Sequence, residues 1–309
     1  LRDFDIRTPV GGSLASIAVL APRGGSIQSI DLQLSVPRSL QVAILETRGG
    51  NISVSGIDGE VRAETSAGQL TLDRVGAAPS LRTGGGEVRV GRVAGTVRCY
   101  SGGGNIRVEN VGRESWFETA GGDIHIREGG GTLHASTAGG NIRVDRCSGE
   151  VFAHTAAGVI DVLQAGGRVT ADNSGGAIQV NAAHGVRCES AAGAIRLRQA
   201  GGGALRATTA LGNILAELLA GARIEDSLLS TSAGDITVFL SSNIPLTVQA
   251  RNESSGGRRG IISDFPEIRV RMPGVSGALP LLAEGALNGG GPVLRIYASG
   301  GTIYLRRQK

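Results

Sequence analysis

From Thr47 the chain repeats itself every 18 residues: Thr47-Arg-Gly-Gly-Asn-Ile-Ser-Val is followed by Thr65-Ser-Ala-Gly-Gln-Leu-Thr-Leu and Thr83-Gly-Gly-Gly-Glu-Val-Arg-Val. The frame recurs at Ser101, Thr119, Thr137, Thr155 and Asn173, slips by one at Ser190 and Thr209, and ends after a longer insertion at Thr231, giving eleven copies. Counted from its Thr, Ser or Asn, the fourth residue of every copy is glycine, from Gly50 through Gly140 to Gly234. Only a backbone demand restricts a position so tightly: a positive φ, or a corner where two strands come too close for a Cβ.

The sixth and eighth positions are β-branched or Leu almost throughout, as in Ile106 and Val108 or Ile124 and Ile126, with polar residues between them. That is the period of a strand. A second strand follows at positions fifteen and seventeen, as in Val97 and Cys99, Leu133 and Ala135, or Val151 and Ala153. Two such short strands cannot bury their own apolar faces, but coils stacked about 4.8 Å apart merge their inward columns into one core. The sequence therefore predicts an all-β, single-domain parallel β-helix, a β-solenoid with coils of about 18 residues. Residues 1–46, with Ile30, Leu32, Leu34 and Val36 alternating among the Pro9, Pro22 and Pro37 breaks, read as irregular first coils and a cap. Residues 47–250 are the regular solenoid, and 251–309 hold a polar loop from Asn252 to Gly260 and a closing coil at Leu294, Ile296, Gly301, Ile303 and Leu305. The stretch from Leu211 to Asp226 has helix-favouring residues, yet Gly212, Ile214 and Ala216 keep the register, which predicts a wider coil with about four extra residues.

Composition narrows the class further. With 51 Gly among 309 residues, 40% hydrophobic and 19% charged, the chain is neither disordered nor collagen-like, because the glycines have no every-third spacing. A net charge of +4 is too mild to indicate a nucleic-acid partner. The longest apolar run, near Leu14 to Ala21, is far short of the ~20 residues of a membrane-spanning helix, so no transmembrane segment is expected. The first residue is Leu, as in a processed mature form or a trimmed one, and a removed leader would leave no trace.

With its repeat and its terminal segment together, the sequence resembles the bacterial adhesin-like family of β-strand-repeat proteins, whose members carry runs of T-x-S-G-x-I-x-V. The resemblance covers roughly Val36 to Leu305, and its more specific part is Ser263-Asp-Phe-Pro266 followed by Gly285-Ala-Leu-Asn-Gly-Gly-Gly-Pro292. Bactofilins, which also stack short β-coils, are more distantly similar. The resemblance implies an exported cell-envelope, cell-surface or extracellular protein with a β-helical body, and supplies no catalytic residues.

Among candidate sites, Cys99, Cys147 and Cys188 all fall on inward columns and read as buried core residues; Cys99 and Cys188 lie five coils apart, about 24 Å and beyond disulfide reach. His134 and His154 sit on outward positions of adjacent coils without a convincing third donor for a metal. Asp123 in Gly121-Gly-Asp-Ile is Asn, Gln, Glu or Ala in other copies, unlike a calcium-binding β-roll. The glycine triplets, such as Gly84 to Gly86, lack the Gly-Lys-Ser/Thr ending of a phosphate loop. Asp145 and Asp161 beside Arg143 are the acids a carbohydrate-active β-helix enzyme would use, although Glu109, Arg127 and Asp145 alternate like a charge ladder. Outward position seven carries Arg89, Arg107, His125, Arg143 and Arg196, a basic column read as a solvated face.

The most informative outward feature is a strip at positions sixteen and eighteen that holds Arg98, Tyr100, Trp116, His134, Phe152 and His154. It gathers three of only nine aromatic residues. Such a strip suits stacking of sugar rings or packing against another protein. The sequence thus leads to a non-enzymatic, cofactor-free scaffold or adhesion module whose partner is a surface glycan, a protein or a second copy of itself. The alternatives are a filament subunit assembled by end-to-end stacking and, third, a carbohydrate-active enzyme.

Overall fold

Most of the regular coils turn on one knot, in which the Thr, Ser or Asn at position one is buried and holds two coils at once. Thr119 Oγ1 donates to the Gly104 carbonyl of the preceding coil at 2.9 Å and accepts from the Gly122 amide of its own coil at 3.3 Å. The same pair of bonds recurs at Thr83, Ser101, Thr137 and Thr155. At Asn173 the side-chain amide takes both roles. The invariant glycine answers a close approach, not a positive φ: a Cβ on Gly104, Gly122 or Gly140 would collide with the carbonyl oxygen of the glycine one coil earlier. Position five completes the corner, since Asn105 Oδ1 accepts the Asp123 amide and Asp123 Oδ1 accepts the Asn141 amide.

In this computed structural model the described residues are 5–7, 10–11, 14–20, 31–219, 221, 223–253, 260–271 and 280–308. They form two units, Leu1–Pro37 and Arg38–Lys309. The second is a parallel β-solenoid with no helix among the described residues. One sheet, sheet 1, is built from the first strand of each repeat: Ile106–Val111 pairs in parallel with Val88–Val93 and Ile124–Gly129, Ile106 lying level with Val88 and Ile124. The other, sheet 2, comes from the second strand: Ser115–Thr119 lies between Arg98–Ser101 and Leu133–Thr137. Partners 18 residues apart make one repeat one coil.

The two sheets share a single core that runs from Val54 to Leu305. Sheet 1 supplies mostly Ile, Val and Leu; sheet 2 supplies smaller residues such as Cys99, Ala135 and Ala153. Phe117 fits between Cys99 and Ala135 because its neighbours in the column are small. Gly129 stands in a column of valines because Leu133 occupies the space its Cβ would take. Irregularities sit where the repeat slips: the pairing shifts between His184 and Val186, with Gly185 at φ +84°. In the wide coil Ile214–Leu218 is a strand in register with Ile236–Leu240, and the extra residues follow it.

Chain order and stacking order diverge at the C-terminal end. The closing coil is not the outermost one. Val293–Ala298 lies between Ser227–Thr231 and Leu246–Asn252 in sheet 2, and Ile303–Arg307 lies between Ile236–Leu240 and Ile261–Ser263 in sheet 1. Beyond it, Leu246–Asn252 pairs with Leu281–Leu287, which pairs in turn with Arg269–Arg271, both antiparallel. The segment Ser263-Asp-Phe-Pro266 fastens this end: Phe265 is buried under the Arg307 guanidinium, and Asp264 accepts from the Arg306 side chain and the Arg307 amide. Asn288, Gly289 and Gly290 all have positive φ and form the turn that sends the chain back into the stack. The stretch 254–259, inside the segment read as a polar loop, lies outside the described residues.

Within the first unit, Asp5–Arg7 pairs antiparallel with Ala18–Leu20, and Val10–Gly11 with Leu14–Ala15. Leu32, Leu34 and Val36 are exposed and belong to no strand, and Ile30 lies outside the described residues. The regular stack itself begins before Thr47, since Val42–Thr47 is in register with Glu60–Thr65.

Candidate functional site

Strand parity places the aromatic strip. On Ser115–Thr119, Ser115, Phe117 and Thr119 point inward and are buried, so Trp116 and Glu118 face outward. The parallel register then puts Arg98, Trp116, His134, Phe152 and Thr170 in one column on successive coils of sheet 2. Coils about 4.8 Å apart leave planar side chains in one column little choice but to stack. Trp116 and His134 do so at 5.0 Å between centroids and 5° between planes, His134 and Phe152 at 4.9 Å and 5°. The Arg98 guanidinium covers the other face of Trp116 at 5.0 Å, and His134 Nε2 is held by Glu114 Oε1 at 3.0 Å.

This stacking changes what the strip offers. Both faces of Trp116 are occupied, so the residue at the centre of the strip presents its edge to solvent and cannot receive a sugar ring flat. Tyr100 lies beside the ladder with Arg82 over its ring at 5.0 Å. The ladder ends at Phe152, which is 37% exposed and whose next neighbour in the column is the short Thr170. Around that end lies a shallow groove of about 240 Å³, lined among others by Trp116, His134, Phe152, His154, Thr170 and Asp172. His154 and Asp172 are level on adjacent coils, and Glu189 follows Asp172. Partial burial, with the Glu189 charge adding to it, raises the Asp172 carboxyl above its ordinary value. Thr170, Asp172 and Glu114 did not figure in the sequence reading; extending the outward columns one coil past Phe152 finds the first two.

The other candidates resolve into structural roles. On sheet 1 four of the five residues of the basic column are paired: Arg89 and Arg107 both meet Glu87, His125 meets Asp145 at 3.0 Å, and Arg143 meets Asp145 at 2.8 Å and Asp161 at 3.2 Å, while Arg196 makes no ion pair among the described residues. Burial works to raise the Asp145 carboxyl, but hydrogen bonds from His125 and Arg143 outweigh it and hold the group below its ordinary value. A general acid needs the opposite shift. Arg127 pairs with Glu109 at 2.7 Å, as the charge ladder predicts, while Asp145 turns to Arg143 and His125. Asp123 is engaged in the corner bonds described above, and among the described residues no three His, Cys, Asp or Glu are grouped to hold a metal. Cys99, Cys147 and Cys188 are buried free thiols, and burial pushes all three thiol groups up.

Fold and site together define a β-solenoid that carries an outward aromatic ladder on one sheet. Set against known protein families, curated proteins and solved structures, the chain gives no match in any of the three comparisons. No helix among the described residues is long and apolar enough to cross a membrane.

Proposed function

We propose that this chain is a non-enzymatic scaffold or adhesion module of the bacterial cell envelope, exported to the surface or beyond, that meets its partner through sheet 2. The observation that carries this reading is the ladder itself: four large planar groups, Arg98, Trp116, His134 and Phe152, in unbroken contact on an outward column. A rigid ridge of stacked planar side chains, rich in Trp and Arg, has the make-up of a contact surface, and flat solenoid faces serve as extended ones. The resemblance in the terminal segment points the same way. End-to-end filament growth is less well supported, because sheet 2 finishes at its C-terminal end with antiparallel strands where a parallel successor would have to dock.

Co-sedimentation of the purified chain with isolated bacterial envelope tests this. The native protein should sediment with envelope, and Trp116→Ala should lower the affinity about tenfold or more while the fold persists. Equal sedimentation of the two, or none by either, contradicts the reading.

A further inference from the structure

Four aromatic rings carry a guanidinium from a nearby residue: Arg82 on Tyr100, Arg98 on Trp116, Arg306 on Tyr304 and Arg307 on the buried Phe265, all at 5.0 to 5.2 Å, whereas the exposed Tyr297 carries none among the described residues. On the ladder, Arg98 closes the Trp116 end in this way. At the other end of the ladder the pattern is broken. His134 covers one face of Phe152, but the residue level with its other face is Thr170, whose side chain is too short to span a ring. One coil further, Arg187 is turned away into a forked pair of hydrogen bonds with Glu189. Two residues along the same outward face from Thr170 lies the partly buried carboxylate of Asp172, which feels the charges of His154 and Arg187 but has neither within hydrogen-bond or ion-pair distance among the described residues. A ring face and an unpaired carboxylate on one wall of the same groove are complementary to a planar cation.

We propose that the open face of Phe152, flanked by Thr170 and Asp172, is the seat of an arginine side chain presented by a partner protein. The guanidinium would continue the ladder on the Phe152 side as Arg98 ends it on the Trp116 side, and would direct N–H groups at the Asp172 carboxylate. A guanidinium fits better than an ammonium because its plane can lie flat on the ring while its edge reaches the acid. The proposal rests on the reading of sheet 2 as the contact surface, and it makes that partner a protein.

The test uses the whole chain, isotope-labelled, and three probes: the capped tripeptide Gly-Arg-Gly, the same peptide with neutral citrulline in place of arginine, and cellobiose. The arginine peptide should shift the backbone amides of residues 170–172 saturably, and the citrulline peptide should bind about fivefold more weakly or worse. Asp172→Asn should weaken the arginine peptide by a similar factor. Thr170→Arg, which supplies the guanidinium from within, should abolish peptide binding. Equal binding of the two peptides, an unchanged affinity in Asp172→Asn, or shifts produced by cellobiose alone would overturn the proposal. Envelope binding lost in Trp116→Ala but intact in Asp172→Asn would reject the seat and keep the contact surface. Arginine-peptide binding without any envelope binding would do the reverse.

Discussion

A single glycine carries more of this architecture than any core side chain. At Gly122 a Cβ would strike the Gly104 carbonyl oxygen, whereas at Gly121 the nearest atom of another coil is 3.9 Å away, an ordinary contact. Gly122→Ala should therefore push two coils apart at the Thr119 corner and cost about 3 kcal/mol or more, while Gly121→Ala should stay within about 0.5 kcal/mol, as read by urea unfolding. Similar losses for both would mean that the glycine serves some other need. The strip gives a second comparison. Phe117 is buried among small residues and its replacement by Ala should cost about 3 to 5 kcal/mol. Trp116→Ala removes only its two stacking contacts and should cost about 1 kcal/mol. Denaturation midpoints at equal m-value would show the difference, and equal losses would mean that the inward and outward faces of this strand are reversed. The sequence revealed the parity of Trp116 and Phe117, because period-two alternation is local. It did not reveal that the Trp116 faces are spent on Arg98 and His134, because ring orientation depends on how adjacent coils stack.

At the scale of strands, the C-terminal coil is the unexpected element. Gly301, Ile303 and Leu305 announce a coil by the same pattern as the rest, so its existence was legible from residue types alone. Its place was not, since any coil with this pattern can lie on any other, and only the antiparallel Leu281–Leu287 and the left-handed turn at Asn288 dictate the return. A chain ending at Pro292 should consequently lose amide protection in Leu246–Asn252 and Leu281–Leu287, while the coils between Ile52 and Leu197 remain protected in hydrogen exchange. Were the last coil outermost, 246–253 would stay protected. Acid should act on the same region. The Arg307 amide, then the Arg306 side chain, hold the Asp264 carboxyl below its ordinary value despite some desolvation. A depressed carboxylate contributes stability above its unfolded-state pKa and loses it as pH falls through the folded one. Protection of Ile303–Arg307 should accordingly decline at pH below the usual carboxylate range, and Asp264→Asn should remove that dependence.

For the molecule as a whole, stacking makes stability a sum of coil-to-coil interfaces and turns a local repeat into a long, ruled surface. The two sheets use that surface differently. Sheet 1 pairs most of its outward charges between or within coils, each such exposed pair being worth about 0 to 1 kcal/mol, and presents a solvated face. Sheet 2 aligns planar groups into a ridge with one open end. Everything proposed about partners depends on this alignment, which follows from a coil of 18 residues held in strict register. A crystal structure that resolves side chains tests it most directly. The account predicts Gly104, Gly122 and Gly140 in one column about 4.8 Å apart, and Arg98, Trp116, His134 and Phe152 in one continuous stack beside it. Glycines two strand widths apart, or a Trp116 ring lying flat against solvent with His134 turned away, would contradict it.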